Sequence, residues 1–225
     1  MKAHGGVTIE TFVEPMFSQN AYIVSHHAAG ECWIVDPGFP PQAMQIRSAV
    51  QRRGLTPIAI VLTHGHPDHI AGVAALKEAY PGAAIVCPRE EERMLHDPEA
   101  NLSAMMGMAI TTPPADRLVA VGDALELGAS RWQALDVAGH SPGGLAYYCA
   151  AAKLALVGDA LFFGSIGRYD FPGSDRGRLL RNIVNNLLTL PDDTAVYSGH
   201  GPATTIGHER KHNLTLRWEL QQDLE

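Results

Sequence analysis

Cysteine is scarce. Cys32, Cys87 and Cys149 are the only three among 225 residues, and no two share a CxxC spacing. An odd, scattered set builds no disulfide framework and reads as small buried thiols of a reducing compartment. A basic excess is missing as well: 17 Lys and Arg stand against 24 Asp and Glu, a net charge of −7. A general nucleic-acid binder needs the opposite sign to neutralise phosphates. No stretch approaches the ~20 apolar residues of a membrane span. The opening MKAHGGVTIETF has no apolar core of signal-peptide length. The expectation is a soluble, cytoplasmic protein with neither nucleic acid nor membrane as partner. General disorder is excluded too, because 46% hydrophobic against 18% charged residues is enough to bury a core.

What is present reads as strands with helices between them. Val7–Val13, 22–24 and 32–35 are short β-rich runs bounded by turn residues. Gln42–Arg53 carries Ala43, Ile46 and Val50 at helical spacing and stops at Gly54. The continuous apolar run 58–62 has the pattern of a strand buried on both faces. Helices are expected over 70–80 and 179–190, with helical pieces over 90–108 and in the last 25 residues. Further strands are expected at 84–87, Ala124–Leu127, 131–137, Leu145–Cys149, 154–157 and 195–197. Two sheets with helices outside satisfy this pattern, and so does one mixed sheet.

Histidine is plentiful, with 11 residues, and three of them fall within His64-Gly65-His66-Pro67-Asp68-His69. That segment follows directly on the buried run 58–62, so a tight turn can aim several imidazoles at one ion. His140 in Gly139–Gly144, Asp159 after Gly158, and His200 between Gly199 and Gly201 each follow a further strand. Singly they are weak signals, since a lone His or Asp at a strand end is commonly a turn residue. Together they complete a count. His64, His66 and His140 offer three imidazoles to one ion; Asp68, His69 and His200 offer three ligands to a second; Asp159 is the natural bridge. The set contains no thiolate, unlike most closed structural zinc sites. His4, His26, His27, His96, His208 and His212 are given no metal role.

These residues resemble the metallo-β-lactamase superfamily. The likeness rests on Thr63–His69, Gly139–Gly144, Gly158-Asp159, Gly199-His200 and the early Asp36-Pro37-Gly38. It is closest to the glyoxalase II-like, hydroxyacylglutathione hydrolase-like branch. The segments 161–163, Gly167–Gly173 and 201–209 carry that closer likeness. The resemblance implies an α+β fold, an αββα four-layer sandwich, as one domain over residues 1–225. It implies two divalent metal ions, usually zinc, with iron or manganese also accepted in this branch. By that likeness Asp36 supports the ligands and is not one of them.

The function implied is a binuclear metallohydrolase that uses a metal-bridging hydroxide to cleave a thioester such as S-lactoylglutathione. Asp68 and Asp159 are the catalytic carboxylates, and the partner is a small-molecule thioester, with a glutathione conjugate as one candidate. Two departures bear on glutathione. Only 25 residues follow His200, too few for the helical glutathione-binding extension of that branch, and Arg168 stands near the place of its glutathione-contacting lysine. Arg168 and Tyr169 are therefore the candidate substrate-binding residues, with Phe171 as a possible wall. Met105, Met106 and Met108 read as packing or as an adaptable lid, and Arg210 and Lys211 as a solvated helix face. The alternatives on the same fold are a mono-iron persulfide dioxygenase using His64, His140 and Asp159, a lactone hydrolase, and less readily a β-lactamase. A metal-stabilised binding protein is the non-enzyme alternative.

Overall fold

The computed structural model describes residues 1–26 and 30–222, so His27 and the last three residues lie outside the described part. The first sheet runs in chain order: β1 (Lys2–His4), β2 (Val7–Val13), β3 (Asn20–His26), β4 (Glu31–Val35), β5 (Thr56–Val61), β6 (Ala84–Pro88) and β7 (Arg117–Val119). It is antiparallel from β1 to β4 and parallel from β4 to β7. The second sheet contains β8 (Ala124–Leu127), β9 (Ser130–Asp136), β10 (Leu145–Cys149) and β11 (Leu154–Gly158). After a small hairpin of β12 (Leu161–Phe162) and β13 (Ser165–Ile166), it gains β14 (Ala195–Ser198) and β15 (Thr204–Thr205). Its order is β15-β14-β11-β10-β9-β8, with only β11 and β14 parallel.

Three apolar layers hold these sheets. Between them lie Trp33, Val61, Trp132, Ala134, Tyr147 and Leu156, with the Trp33 and Trp132 rings 5.4 Å apart. The outer face of the first sheet is covered by α1 (Gln42–Arg53) and α3 (Val73–Ala79), which bury Ile46, Val50, Val73 and Leu76 against Ile34, Ile60 and Ile85. The outer face of the second is covered by α4 (Arg176–Asn182), α5 (Ile206–His212) and α6 (Leu214–Gln222), through Leu179, Leu180, Ile206 and Leu216. The result is the αββα sandwich that the resemblance implied. The apolar run through β5 faces both ways, Ala59 and Val61 inward and Ile60 outward, because helices and the other sheet remove both faces from water. By contrast β9 alternates, with Trp132 and Ala134 buried and Arg131 and Gln133 exposed.

Some helices differ from expectation. The segment 70–80 is broken into α2 (Pro67–Ile70) and α3, because Gly72 packs on the Asp36-Pro37-Gly38 turn. Its N–H donates to the Pro37 carbonyl at 2.9 Å, and a Cβ there would lie 2.8 Å from the Gly38 oxygen. Within 90–108 the structure has only 3-10 turns, Arg89–Leu95 and Ala104–Met106. The helix expected at 179–190 begins three residues earlier, where Asp175 caps α4 by accepting from the Arg178 N–H, and ends in a π-turn at Ile183–Leu187. The two- and three-residue strands β1, β7, β12, β13 and β15 were not expected; runs so short show no alternation.

Candidate metal centre

Four loops leave the C-terminal ends of β5, β9, β11 and β14 and meet at one edge of the sandwich. The first is set by Asp36, at the end of β4, whose backbone takes a left-handed φ of +47°. Its carboxylate accepts from the Thr63 N–H at 2.7 Å and from the Thr63 hydroxyl at 2.6 Å, and lies 3.1 Å from His69 Nδ1. A non-glycine residue in that region persists only where its surroundings over-determine it, and three hydrogen bonds do so here.

The same kind of support recurs behind other imidazoles. The Thr63 hydroxyl donates its hydrogen bond to Asp36, so it accepts from His64 Nδ1 at 3.1 Å. His140 Nδ1 donates to the Arg168 carbonyl at 2.7 Å, and His200 Nδ1 to the Phe17 carbonyl at 3.1 Å. With His69 on Asp36, four histidines have Nδ1 engaged on the outside and present Nε2 inward, an arrangement that fixes tautomer and ring direction in metal sites.

The inward atoms form two groups. Ligand atoms of His64, His66 and His140 all lie within 4.8 Å of one another, as do those of Asp68, His69 and His200. His66 Nδ1 is 2.9 Å from His140 Nε2. Asp159 stands between the groups, with Oδ1 3.4 Å from His69 Nε2 and Oδ2 3.6 Å from His140 Nε2 and 3.3 Å from His200 Nε2. The grouping of Asp36 with His64 and His69 is the outer network already described.

Charge divides along the same line. Burial, with His69 and His66 adding to it, holds His64 well below its ordinary pKa, and burial beside His140 brings His66 down to about 3. These imidazoles keep free lone pairs. Burial would depress His69 and His200 too, but facing carboxylates outweigh it. Asp159 and Asp68 raise His69 well above its ordinary value and bring His200 to about 9. Burial works against ionisation of Asp68 and Asp159 as well, yet His69 and His200 hold both below the usual carboxylate range.

His64 Nε2, His69 Nε2 and Asp159 Oδ1 are buried without a hydrogen-bond partner. Leaving a buried polar atom unpaired costs about 1–3 kcal/mol. Three such atoms facing one centre, in a set of five imidazoles and two carboxylates, suit a divalent transition ion in donor type and number. Space is made by Gly199, where a Cβ would lie 2.0 Å from Asp159 Oδ1 and 2.6 Å from the His69 ring.

The sequence profile of the Metallo-beta-lactamase superfamily matches residues 15–200. The chain belongs to that superfamily. Among metallo-β-lactamase relatives, the probable metallo-hydrolase YqgX of Bacillus subtilis (strain 168) is 38% identical over 198 residues, 88% of this chain and 92% of that protein. Hydroxyacylglutathione hydrolase GloC of Haemophilus influenzae is 31% identical over 216 residues, 93% of this chain and 98% of its own. The crystal structure of BLEG-1 B3 metallo-beta-lactamase superposes with a TM-score of 0.87 at 38% identity, covering 92% of this chain and 98% of that one. TTHA1623 in a di-iron-bound form superposes with a TM-score of 0.78 at 35% identity, covering 91% and 98%. The chain is thus a superfamily metallo-hydrolase with His and Asp groups able to hold metal ions.

A cleft of about 550 Å³ opens onto this centre. Arg168 lines it, with its guanidinium bonded to Asp170 and 4.3 Å above the Phe171 ring. Met105 and Met106 also reach it, and Met108 is not among its lining residues. Tyr169 is placed elsewhere than expected: its hydroxyl donates to Glu219 Oε1 at 2.7 Å and its ring packs on the α4–α6 layer. Glu219 lies in α6, almost fully buried, and its other carboxylate oxygen accepts from Arg176 Nε at 2.7 Å. Arg210 and Lys211 both pair with Asp192, and His208 stacks on Phe163 above a different groove. Phe162, within the 161–163 segment, lines the cleft too; sequence reasoning missed Phe17 and Leu102, which also line it, and Glu91, which touches two of the ligand loops. Apolar residues of this kind carry no motif, and Glu91 sits unmarked in a run of three glutamates.

Proposed function

We propose that this chain is a binuclear metallohydrolase of thioesters. His64, His66 and His140 hold one ion and Asp68, His69 and His200 the other, with Asp159 between them. Zinc is the expected ion, and the di-iron-bound relative supports iron as an alternative. The observation that carries the reading is the convergence of the three unpartnered buried atoms, His64 Nε2, His69 Nε2 and Asp159 Oδ1, on one centre. When bound, such ions supply Lewis acidity and acidify water toward neutral pH.

The chain's own residues do the rest. Thr63, Asp36 and the carbonyls of Arg168 and Phe17 hold the rings, so little reorganisation accompanies the reaction. Asp68 is more exposed than Asp159, 19% against 8% by side chain, and so is the carboxylate that can orient a water toward a carbonyl in the cleft. Phe162 and Phe171 limit the water that surrounds the substrate. The hydroxyacylglutathione hydrolase relative supports a thioester as the scissile group.

The test is hydrolysis of S-lactoylglutathione with metal content measured on the same sample. His64→Ala and Asp159→Ala should lose metal and turnover together; Asp159→Ala with full turnover in chelated buffer would sink the reading. The likeness to a B3 metallo-β-lactamase favours a second reading, β-lactam hydrolysis, so a β-lactam belongs in the same assay. The mono-iron alternative uses only His64, His140 and Asp159, whereas Asp68, His69 and His200 are assembled beside them.

A further inference from the structure

The wall of the cleft outside the ligand cluster is apolar. Phe17, Leu102, Met105, Met106, Phe162 and Phe171 form it. Three of these side chains are open to solvent although large and apolar: Met105 is 68% exposed, Met106 38% and Phe17 36%. An exposed apolar cluster at the mouth of a concave site marks a surface that a ligand covers. Methionines adapt to ligands of different shape.

The charge of the cleft points the same way. Among the described residues that line it, Arg168 is the single Lys or Arg. Its guanidinium is held edge-on by Asp170, Nε to Oδ1 at 2.9 Å and a terminal nitrogen to Oδ2 at 2.8 Å. That fork is the one a substrate carboxylate would use. The pair is neutral as it stands, and the chain as a whole carries −7. Beyond the metal centre itself, a glutathione conjugate, with two carboxylates, finds in the wall of the cleft one guanidinium, already paired.

We infer that the cleft selects an apolar, uncharged acyl thioester, and that Asp170 is a specificity-determining residue that withholds Arg168 from anionic substrates. The substrate half rests on the thioester reading above; the cleft half does not, because binding measures it without turnover.

Two non-reacting thioethers separate these. N-acetyl-S-hexylcysteamine is neutral with an apolar tail, and S-methylglutathione is anionic. By calorimetry on the metal-loaded protein, the first should bind at least about tenfold more tightly, the worth of roughly two buried methylenes. Asp170→Asn should narrow that ratio by about threefold, the size of one exposed ion pair. Met105→Lys, which adds a cation at an exposed rim position, should narrow it again. In turnover, hexanoyl-N-acetylcysteamine should exceed S-lactoylglutathione in kcat/KM, with the gap reduced in Asp170→Asn. Equal or tighter binding of S-methylglutathione by the parent overturns the apolar assignment. An unchanged ratio in Asp170→Asn overturns the role of Asp170. If the thioethers bind in the expected order while both thioesters stay intact, the thioester reading falls and the cleft assignment stands.

Discussion

The Gly65 N–H donates to Glu91 Oε2 at 2.9 Å, and the other oxygen of the same carboxylate accepts from the Gly143 N–H at 2.5 Å. Gly65 lies between His64 and His66 after β5 of the first sheet; Gly143 follows His140 after β9 of the second. One wholly buried carboxylate therefore joins the two halves of the three-histidine group. Both partners are donors, so the position calls for an acceptor at each oxygen. Burial raises the Glu91 pKa, and the two main-chain bonds oppose that rise.

Glu91→Gln keeps the shape but sets an NH2 against a main-chain N–H. We expect metal binding at His64, His66 and His140 to weaken about 10- to 100-fold, read by titration against a chelator of known affinity. Affinity equal to the parent in a folded variant would show that the loops hold themselves.

Asp36→Asn addresses the first loop in the same way. Asp36 accepts from both the N–H and the hydroxyl of Thr63 and meets His69 Nδ1, and an amide can serve only part of that set. A loss of about 1–3 kcal/mol is expected from unpaired buried donors, measured by urea unfolding of the ion-free protein. Thr63→Val should cost less than Asp36→Asn, and the double variant less than the sum, since both act on one network.

The ligand segments were legible because chemistry-bearing residues sit in short glycine-flanked turns after apolar runs, as with His64 after β5 and Asp159 after β11. The strands that carry them were legible by burial pattern, and Trp132 in β9 is placed as alternation predicts. Glu91 was not, because its partners are main-chain N–H groups in loops 26 and 52 residues away. The Phe17 carbonyl behind His200 was not either: that contact spans 183 residues and involves no side chain of Phe17. The direction of Tyr169 depends on Glu219 in α6, a tertiary pairing that local spacing does not encode.

Gly199→Ala tests how closely the last loop must approach the centre. The added methyl would stand 2.0 Å from Asp159 Oδ1, far inside van der Waals contact, so either Asp159 or the His200 loop must move. The loop is tied down on its other side by Asn20 and Tyr22, which donate to the Ser198 carbonyl, leaving Asp159 as the group that yields. Bound metal per chain should fall below the parent's while far-UV circular dichroism stays the same; unchanged stoichiometry and affinity would place the loop farther from Asp159 than the structure has it.

The pH dependence of the ion-free protein follows from His200, whose Nε2 is 3.2 Å from Asp68 Oδ2 and 3.3 Å from Asp159 Oδ2. Burial alone would lower its pKa, but these two carboxylates raise it from 6.5 to about 9. The folded protein thus holds this proton more tightly than the unfolded chain does. The resulting stability is complete below about pH 6.5 and is lost as pH rises through 9, a contribution on the order of 1–3 kcal/mol. Asp159 has the opposite sign: its depressed pKa stabilises above the ordinary carboxylate range, and that part is lost in acid. Buried His64 and His66 add a loss on the acid side: below about pH 6.5 the unfolded chain protonates them while the fold keeps them neutral, so thermal melting in chelator should show a maximum near pH 6.5, with a decline toward acid and another toward pH 9. Loading the protein with metal should abolish the alkaline decline, because a cation then takes the place of the proton between Asp68, Asp159 and His200, and metal uptake near neutral pH should release protons measurably into weak buffer.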